Sequence, residues 1–248
     1  MKKTLLFLGT VAAAIVGGFL RDLQLSNAFD DKGLPLSGQW ILLAAVSAAV
    51  LLVIALLTRL WTEDAGGAYT DFFRAKLFIV ILEVAAGGLI IAGNLAEFLD
   101  PAASATMFRK IILLLGMVSG LCCVPVAAAQ YRGTKPSPWL YLLPVAFCIL
   151  QLISHFKGWN SDPVVLDYCF KLFAEIFLMI GLFYVGGYAF DKGRYRWSIF
   201  FCLGALYFAG VTMADGGLSH IFITGGSALY LMAHLLMLLQ GKKSVPEE

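Results

Sequence analysis

The sequence predicts an all-α, polytopic transmembrane bundle of about eight helices. Three observations carry this expectation. The 248 residues are 60% hydrophobic and 14% charged, whereas soluble domains run near 45–50% and about 25%. Trp40 to Thr58 holds no charge over 19 residues and Ile111 to Gln130 holds none over 20; a hydrocarbon core about 30 Å thick takes about 20 apolar residues per helix. All 5 tryptophans (Trp40, Trp61, Trp139, Trp159, Trp197) fall within a few residues of an apolar segment's end, where an indole with one donor suits the headgroup layer.

Hydropathy and breaks divide the chain into spans at about 4–24, 39–59, 76–98, 107–130, 138–154, 163–190, 196–214 and 219–240. The first follows Lys2 and Lys3 and could be a secretory leader ending at Ser26-Asn27-Ala28, although Arg21 and Asp22 interrupt the approach to that cut. Its removal would leave seven helices. The fifth opens at Ser137-Pro138 and the sixth at Asp162-Pro163, each pairing a capping residue with a first-turn proline. The fifth is short and contains Pro144, so a broken or re-entrant segment is expected there. Connections are short, the longest being Leu25 to Gly38. The expectation is therefore a single integral membrane domain over 1–248. No GxxxxGK[ST] phosphate loop occurs.

Lys and Arg set the orientation. With the N-terminus inside, 12 of the 18, among them Arg59, Arg74, Lys76, Arg132, Arg194 and Arg196, fall on cytoplasmic ends. Arg21, Lys32, Arg109, Lys110, Lys157 and Lys171 fall outside. That two-to-one bias predicts both termini inside.

Ionisable groups within spans are expensive and call for partners, water or a neutral form. In DYCFKLFAEIFLMIG, Asp167, Lys171 and Glu175 lie four apart, one face of a helix rising about 6 Å per step. Lys171 is expected to reach Asp167 above and Glu175 below, with the face turned into the bundle. Glu83 has no cation three or four residues away, and its depth predicts a contact with His234. Asn94, Glu97 and Asp100 end the third span on the outer side, and His155, Lys157, Asp162, Asp215 and His220 fall outside or near it. The candidate ligand- or ion-binding residues are thus Glu175, Lys171, Asp167, Glu83, His234, Glu97 and Asn94.

Other chemistry is poorly represented. The 5 cysteines lie in apolar runs without CxxC spacing and read as buried free thiols. Three histidines are too few for a two-haem site, so no metal or cofactor is expected. Ser227 lies seven residues before His234, about 10 Å along one helix and out of reach as a nucleophile–base pair. Gly116 and Gly120 form a GxxxG, with Gly87-Gly88, Gly186-Gly187 and Gly225-Gly226 as further small patches for close helix packing. No basic tail suggests nucleic acid; the partners expected are the lipid bilayer and a membrane-protein partner or a second copy.

The first loop, FLRDLQLSNAFDDKGLPLSG, resembles uncharacterised multi-span membrane proteins of clostridia-like bacteria through Leu20-Arg21, Phe29-Asp30, Gly33-Leu34-Pro35 and Gly38. The resemblance implies a multi-pass protein of a bacterial cytoplasmic membrane and carries no activity. Three functions compete on the residues themselves. A small carrier, or a membrane subunit of a transport system, would use an outward-facing polar vestibule ending at Glu175 and Lys171. A non-catalytic sensor or assembly partner would use its charges to fix helix packing. An intramembrane lipid-acting enzyme lacks a convincing nucleophile or metal, and an enzyme is the weakest expectation.

Overall fold

The computed structural model describes residues 2–27, 39–62, 68–159 and 165–240, the side chains of 39, 40, 159 and 165–167 excepted. The regular structure of the described residues is helical, without strands: α1 (Lys2–Asn27), α2 (Gln39–Trp61), α3 (Tyr69–Phe72), α4 (Leu77–Leu99), α5 (Met107–Tyr131), α6 (Trp139–Trp159), α7 (Val165–Ala189), α8 (Tyr195–Thr212) and α9 (Leu218–Gln240). All but α3 are long and apolar enough to cross a membrane, giving 8 candidate spans. Large apolar side chains such as Leu5, Ile15, Leu52, Phe78, Leu121 and Phe183 are more than half exposed. A water-soluble protein would not bare them in such number; a bundle in lipid does. The chain is a multi-pass integral membrane protein.

Local chemistry sets several ends. Thr106 caps α5, its hydroxyl accepting from the Arg109 N–H at 3.2 Å. Gly133 closes the same helix with φ of 68°, and Thr134 N–H returns to the Ala129 carbonyl at 2.9 Å, a left-handed turn that glycine adopts without a Cβ clash. α6 is one continuous helix through Pro144. The broken or re-entrant fifth segment expected from the sequence is thus corrected. Proline removes one backbone donor, and neighbouring helices tolerate that loss at membrane depth. The helix continues through His155 and Lys157 to Trp159.

The spans alternate in direction. Lys3 Nζ donates to the Tyr195 hydroxyl at 2.8 Å, and that hydroxyl donates to the Leu238 carbonyl at 3.1 Å, so the start of α1, the start of α8 and the end of α9 share one face. At the other face Arg21 Nε meets Asp215 Oδ1 at 2.5 Å, both side chains being 1% exposed. These are called the Lys3 face and the Asp215 face.

Five helices close a ring: α4 on α5, α5 on α6, α6 on α7, α7 on α9, and α9 back on α4. α8 packs outside α7 and α9; α1 packs on α8, and α2 joins them at the rim. Small residues draw the ring tight. A Cβ on Gly87 would meet the Gly120 carbonyl oxygen at 2.5 Å, and one on Gly226 would meet that of Ala86 at 2.9 Å. The GxxxG of Gly116 and Gly120 therefore packs within the chain, against α4. Gly18 and Gly210 do the same for α1 and α8, at 2.8 Å. Without a hydrophobic drive between helices in lipid, such close approach gains dispersion contact.

The segment before α4 has no counterpart in the sequence reading. Tyr69, Phe72, Phe73 and Ala75 are buried, and the Ala75 N–H donates to the Gln130 carbonyl at 3.2 Å. The one-turn helix α3 inserts into the ring from the Lys3 face. Phe29 to Gly38 and Asp162-Pro163, which carry the loop resemblance and a predicted cap, lie outside the described residues.

Candidate functional site

The ring encloses a column of polar side chains. At the Asp215 face it opens into a vestibule of about 480 Å³ lined by Glu97, Asp100, Arg109, Ser154, His155 and Ser219 with small apolar neighbours. α4 supplies the acids at its C-terminal end, and α5 answers with Arg109, which pairs with Glu97 through Nη2. Arg109 Nη1 is buried without a hydrogen-bond partner.

Below the vestibule His155 Nδ1 pairs with Glu175 Oε1. Glu175 is 8% exposed, and its other oxygen, Oε2, is buried without a hydrogen-bond partner. Such an oxygen carries a desolvation cost on the order of 1–3 kcal/mol, more if charged, and so is poised to take a donor or a cation. Glu175 lines a cavity with Gln151, Thr224 and Ser227 that has about 20 Å³ of space for water centres, room for about one water. A second, of about 10 Å³, continues past Ser119, Cys123 and Tyr230, sharing Phe147, Cys148 and Ser227 with the first.

Toward the Lys3 face the column ends in a saturated cluster. Glu83 and His234 are fully buried, with His234 Nδ1 at 3.3 Å from Glu83 Oε1 and 3.0 Å from the Tyr230 carbonyl oxygen. The Gln130 amide is oriented by the carboxylate: its nitrogen donates to Glu83 Oε1 at 2.8 Å and Oε2 at 3.0 Å. Its oxygen accepts from the Tyr69 hydroxyl at 2.8 Å and lies 2.9 Å from His234 Nε2. Tyr141 completes the cluster, 2.6 Å from the Tyr69 hydroxyl and 3.0 Å from Nε2. Four spanning helices and the inserted turn each give it a side chain. Phe73 stacks obliquely on the imidazole with centroids 5.4 Å apart.

The seven predicted residues fall into separate groups. Glu83 and His234 meet. Glu175 meets His155, which the sequence suggested only as an outer residue. Lys171 does not pair with Glu175, as the four-residue spacing suggested: its ammonium donates to the Asp215 carbonyl at 3.1 Å and lies 5.9 Å from the Tyr168 ring centroid. An i,i+4 pair can meet, but a backbone carbonyl at the helix-end layer solvates an ammonium at lower desolvation cost than a carboxylate one turn deeper. The Asp167 side chain lies outside the described residues. Glu97 borders the vestibule. Asn94 donates to the Ile90 carbonyl at 2.8 Å, while its Oδ1 abuts Gly116 and is buried without a partner.

Residues passed over in the sequence are Gln130, Tyr141, Gln151 and Tyr69. A signal for two of them, Tyr141 and Gln151, exists. Tyr141, Cys148, Gln151 and His155 on α6 share one face at steps of seven, three and four, as do His220, Thr224, Ser227 and His234 on α9 at four, three and seven, and Glu83, Asn94 and Glu97 on α4 at eleven and three. Neutral polar residues at that spacing in several spans trace the ring's inner face. Among the described residues no group of three or more His, Cys, Asp and Glu has metal-site geometry. No family model, curated protein or solved structure matches the chain.

Proposed function

We propose that the protein is a small carrier, or the membrane subunit of a transport system, in a bacterial cytoplasmic membrane, and that it takes a small polar solute from the outer side. The Lys and Arg bias puts the Lys3 face in the cytoplasm, so the vestibule opens outward. The observation that supports the reading best is the vestibule's floor: the His155–Glu175 pair lies inside the ring with one carboxylate oxygen uncommitted. A carboxylate at that depth is costly unless it binds something. Glu97, Asp100, Arg109 and His155 give the vestibule both signs of charge, which suits a zwitterionic or cationic solute.

The test is uptake by proteoliposomes of a panel of labelled amino acids, polyamines and small carboxylates, with thermal stabilisation by the same compounds. Glu175→Gln abolishes uptake and stabilisation while leaving the folded fraction intact. Loss of yield alone, with no compound transported by the unmutated protein, supports an assembly partner instead. The buried Arg21–Asp215 pair, which ties α1 to the end of α8, favours that second reading for its own end of the molecule.

A further inference from the structure

The Glu83–His234 cluster is closed on one side and connected on the other. On the Lys3 side the inserted segment covers it with Tyr69 and Phe73, both at most 1% exposed. Toward the Asp215 face, the Tyr230 ring lies 4.4 Å from the imidazole and lines the smaller cavity, whose Ser227 wall is shared with the cavity beside Glu175. The larger has room for about one water and amide, hydroxyl and carboxylate lining to hold it; the smaller, of about 10 Å³, is at the lower limit for one water, with Ser119, Ser227 and Tyr230 its hydroxyl-bearing lining. Thr224 and His234 are ten residues apart on α9, a rise of about 15 Å, or about five hydrogen-bonded steps.

The cluster also has a property that a purely structural ion pair lacks. His234 Nδ1 faces acceptors, the Tyr230 carbonyl and Glu83. Nε2 faces one acceptor and one donor: the Gln130 carbonyl at 2.9 Å and the Tyr141 hydroxyl at 3.0 Å. With Nε2 protonated, its N–H donates to Gln130. With Nε2 bare, the Tyr141 hydroxyl donates to it. Nε2 thus has a partner in either protonation state without moving a heavy atom, and protonation also relieves the lone-pair contact with the Gln130 oxygen at 2.9 Å. The titratable groups facing the cluster are Tyr69 from α3, Cys123 from α5, Tyr141 from α6 and Tyr230 from α9; among the described residues His234 is the basic group within ion-pair distance of Glu83.

We propose that Glu83 and His234 form a proton-binding site loaded from the Asp215 face by way of Glu175 and the two water-sized cavities, with the Tyr69–Phe73 segment sealing it from the Lys3 face. The proton moves by exchange of O–H bonds along water and hydroxyl groups and ends as an N–H bond on His234 Nε2, the Tyr141 hydroxyl turning away as Gln130 accepts. No other bond is made or broken. The site shares Glu175 with the floor of the proposed solute vestibule, but proton loading does not depend on solute binding, and loss of solute uptake leaves it standing.

The experiment uses the full chain in sealed vesicles of one protein orientation, with infrared difference spectra recorded after a pH step on one side. A step from about pH 10 to about pH 4 reaches beyond the ordinary histidine range on both sides, as a buried carboxyl and imidazole require. The expected result is a carboxyl and imidazole difference signal that follows the pH on the Asp215 side, does not follow that on the Lys3 side, and disappears in Glu83→Gln. Ser227→Leu, which fills the shared wall, slows the signal; Ser119→Val is the substitute where that variant fails to fold. A signal that follows the Lys3 side, or a Glu83 and His234 that respond to neither side, overturns the proposal. Sidedness is read on the part of the unmutated protein's signal that Glu83→Gln removes, because the His155–Glu175 pair gives a carboxyl and imidazole signal of its own from the Asp215 side. Uptake without a sided proton signal would sink this inference and keep the carrier reading; the reverse result would do the opposite.

Discussion

Glu175 and Glu83 are both buried carboxylates beside a histidine, and they are built in opposite ways. Glu175 lies under an open vestibule of about 480 Å³, has one oxygen paired with His155, and leaves the other without a hydrogen-bond partner. Glu83 lies under a sealed cap, with both oxygens taking donors from Gln130 and a third contact from His234. A half-satisfied buried group is destabilising and waits for a ligand; a satisfied network rigidifies the core that holds it. The pair teaches that depth alone does not mark a binding residue in a membrane bundle. On the proposed reading, the uncommitted oxygen does.

The contrast breaks first, and most visibly, at Glu83. Glu83→Ala strips two acceptors from the Gln130 amide and the counter-group from His234 at full burial. Removing one partner of a buried pair costs about 3–5 kcal/mol, a fall on the order of 10 °C in apparent Tm for a chain of this size. Thermal unfolding in detergent checks it. An unshifted transition would mean that saturation does not stabilise this end, and the distinction between the two carboxylates would fail.

Arg21→Gln asks whether burial rather than chemistry sets such costs. The guanidinium meets Asp215 at 2.5 Å and Gln24 at 2.7 Å, and its loss is expected to cost about 2–4 kcal/mol. Lys135→Ala removes the same kind of charge pair, to Asp191 at 2.5 Å, but with side chains 36% and 67% exposed; a surface pair is worth about 0–1 kcal/mol. Equal shifts in the two variants would contradict the ranking. Gly87→Ala comes next. Its new methyl would sit 2.5 Å from the Gly120 carbonyl oxygen, so α4 and α5 must part, at about 1–3 kcal/mol, read again in the unfolding transition.

Much of the scaffold was legible because a span needs only length and hydropathy. The ends of α4, α5 and α9 lie within two residues of where the apolar runs stop. α6 ran on because His155 and Lys157, read as surface signs, lie on a helix that dips its face into a polar vestibule. α3 was invisible: a single turn among polar residues has no periodicity to detect, and its burial depends on a gap between other helices. The Glu83–His234 contact followed from equal depth on two spans, a one-dimensional quantity that a sequence carries. The His155–Glu175 pair did not, because i,i+4 spacing on α7 offered a nearer partner in Lys171. Which of two feasible partners a charge takes is decided by neighbours from other helices, and that is tertiary information.

The smallest stability effect is expected at Glu175, and it is the sharpest test of the comparison. Glu175→Gln keeps size and keeps an oxygen to accept from the His155 Nδ1–H. It removes a charge whose second oxygen had no partner, and it introduces an amide that can reach toward Gln151, Thr224 or Ser227 in the adjoining cavity. The lost ion pair and the relieved desolvation oppose each other, so the net change should stay within about 1 kcal/mol of zero. Function should respond in the other sense, with uptake lost. A large drop in unfolding temperature on a par with Glu83→Ala would put both carboxylates in the same structural role. A near-silent transition with abolished uptake would separate them: the site that tolerates substitution structurally is the one whose chemistry is spent on something other than the fold.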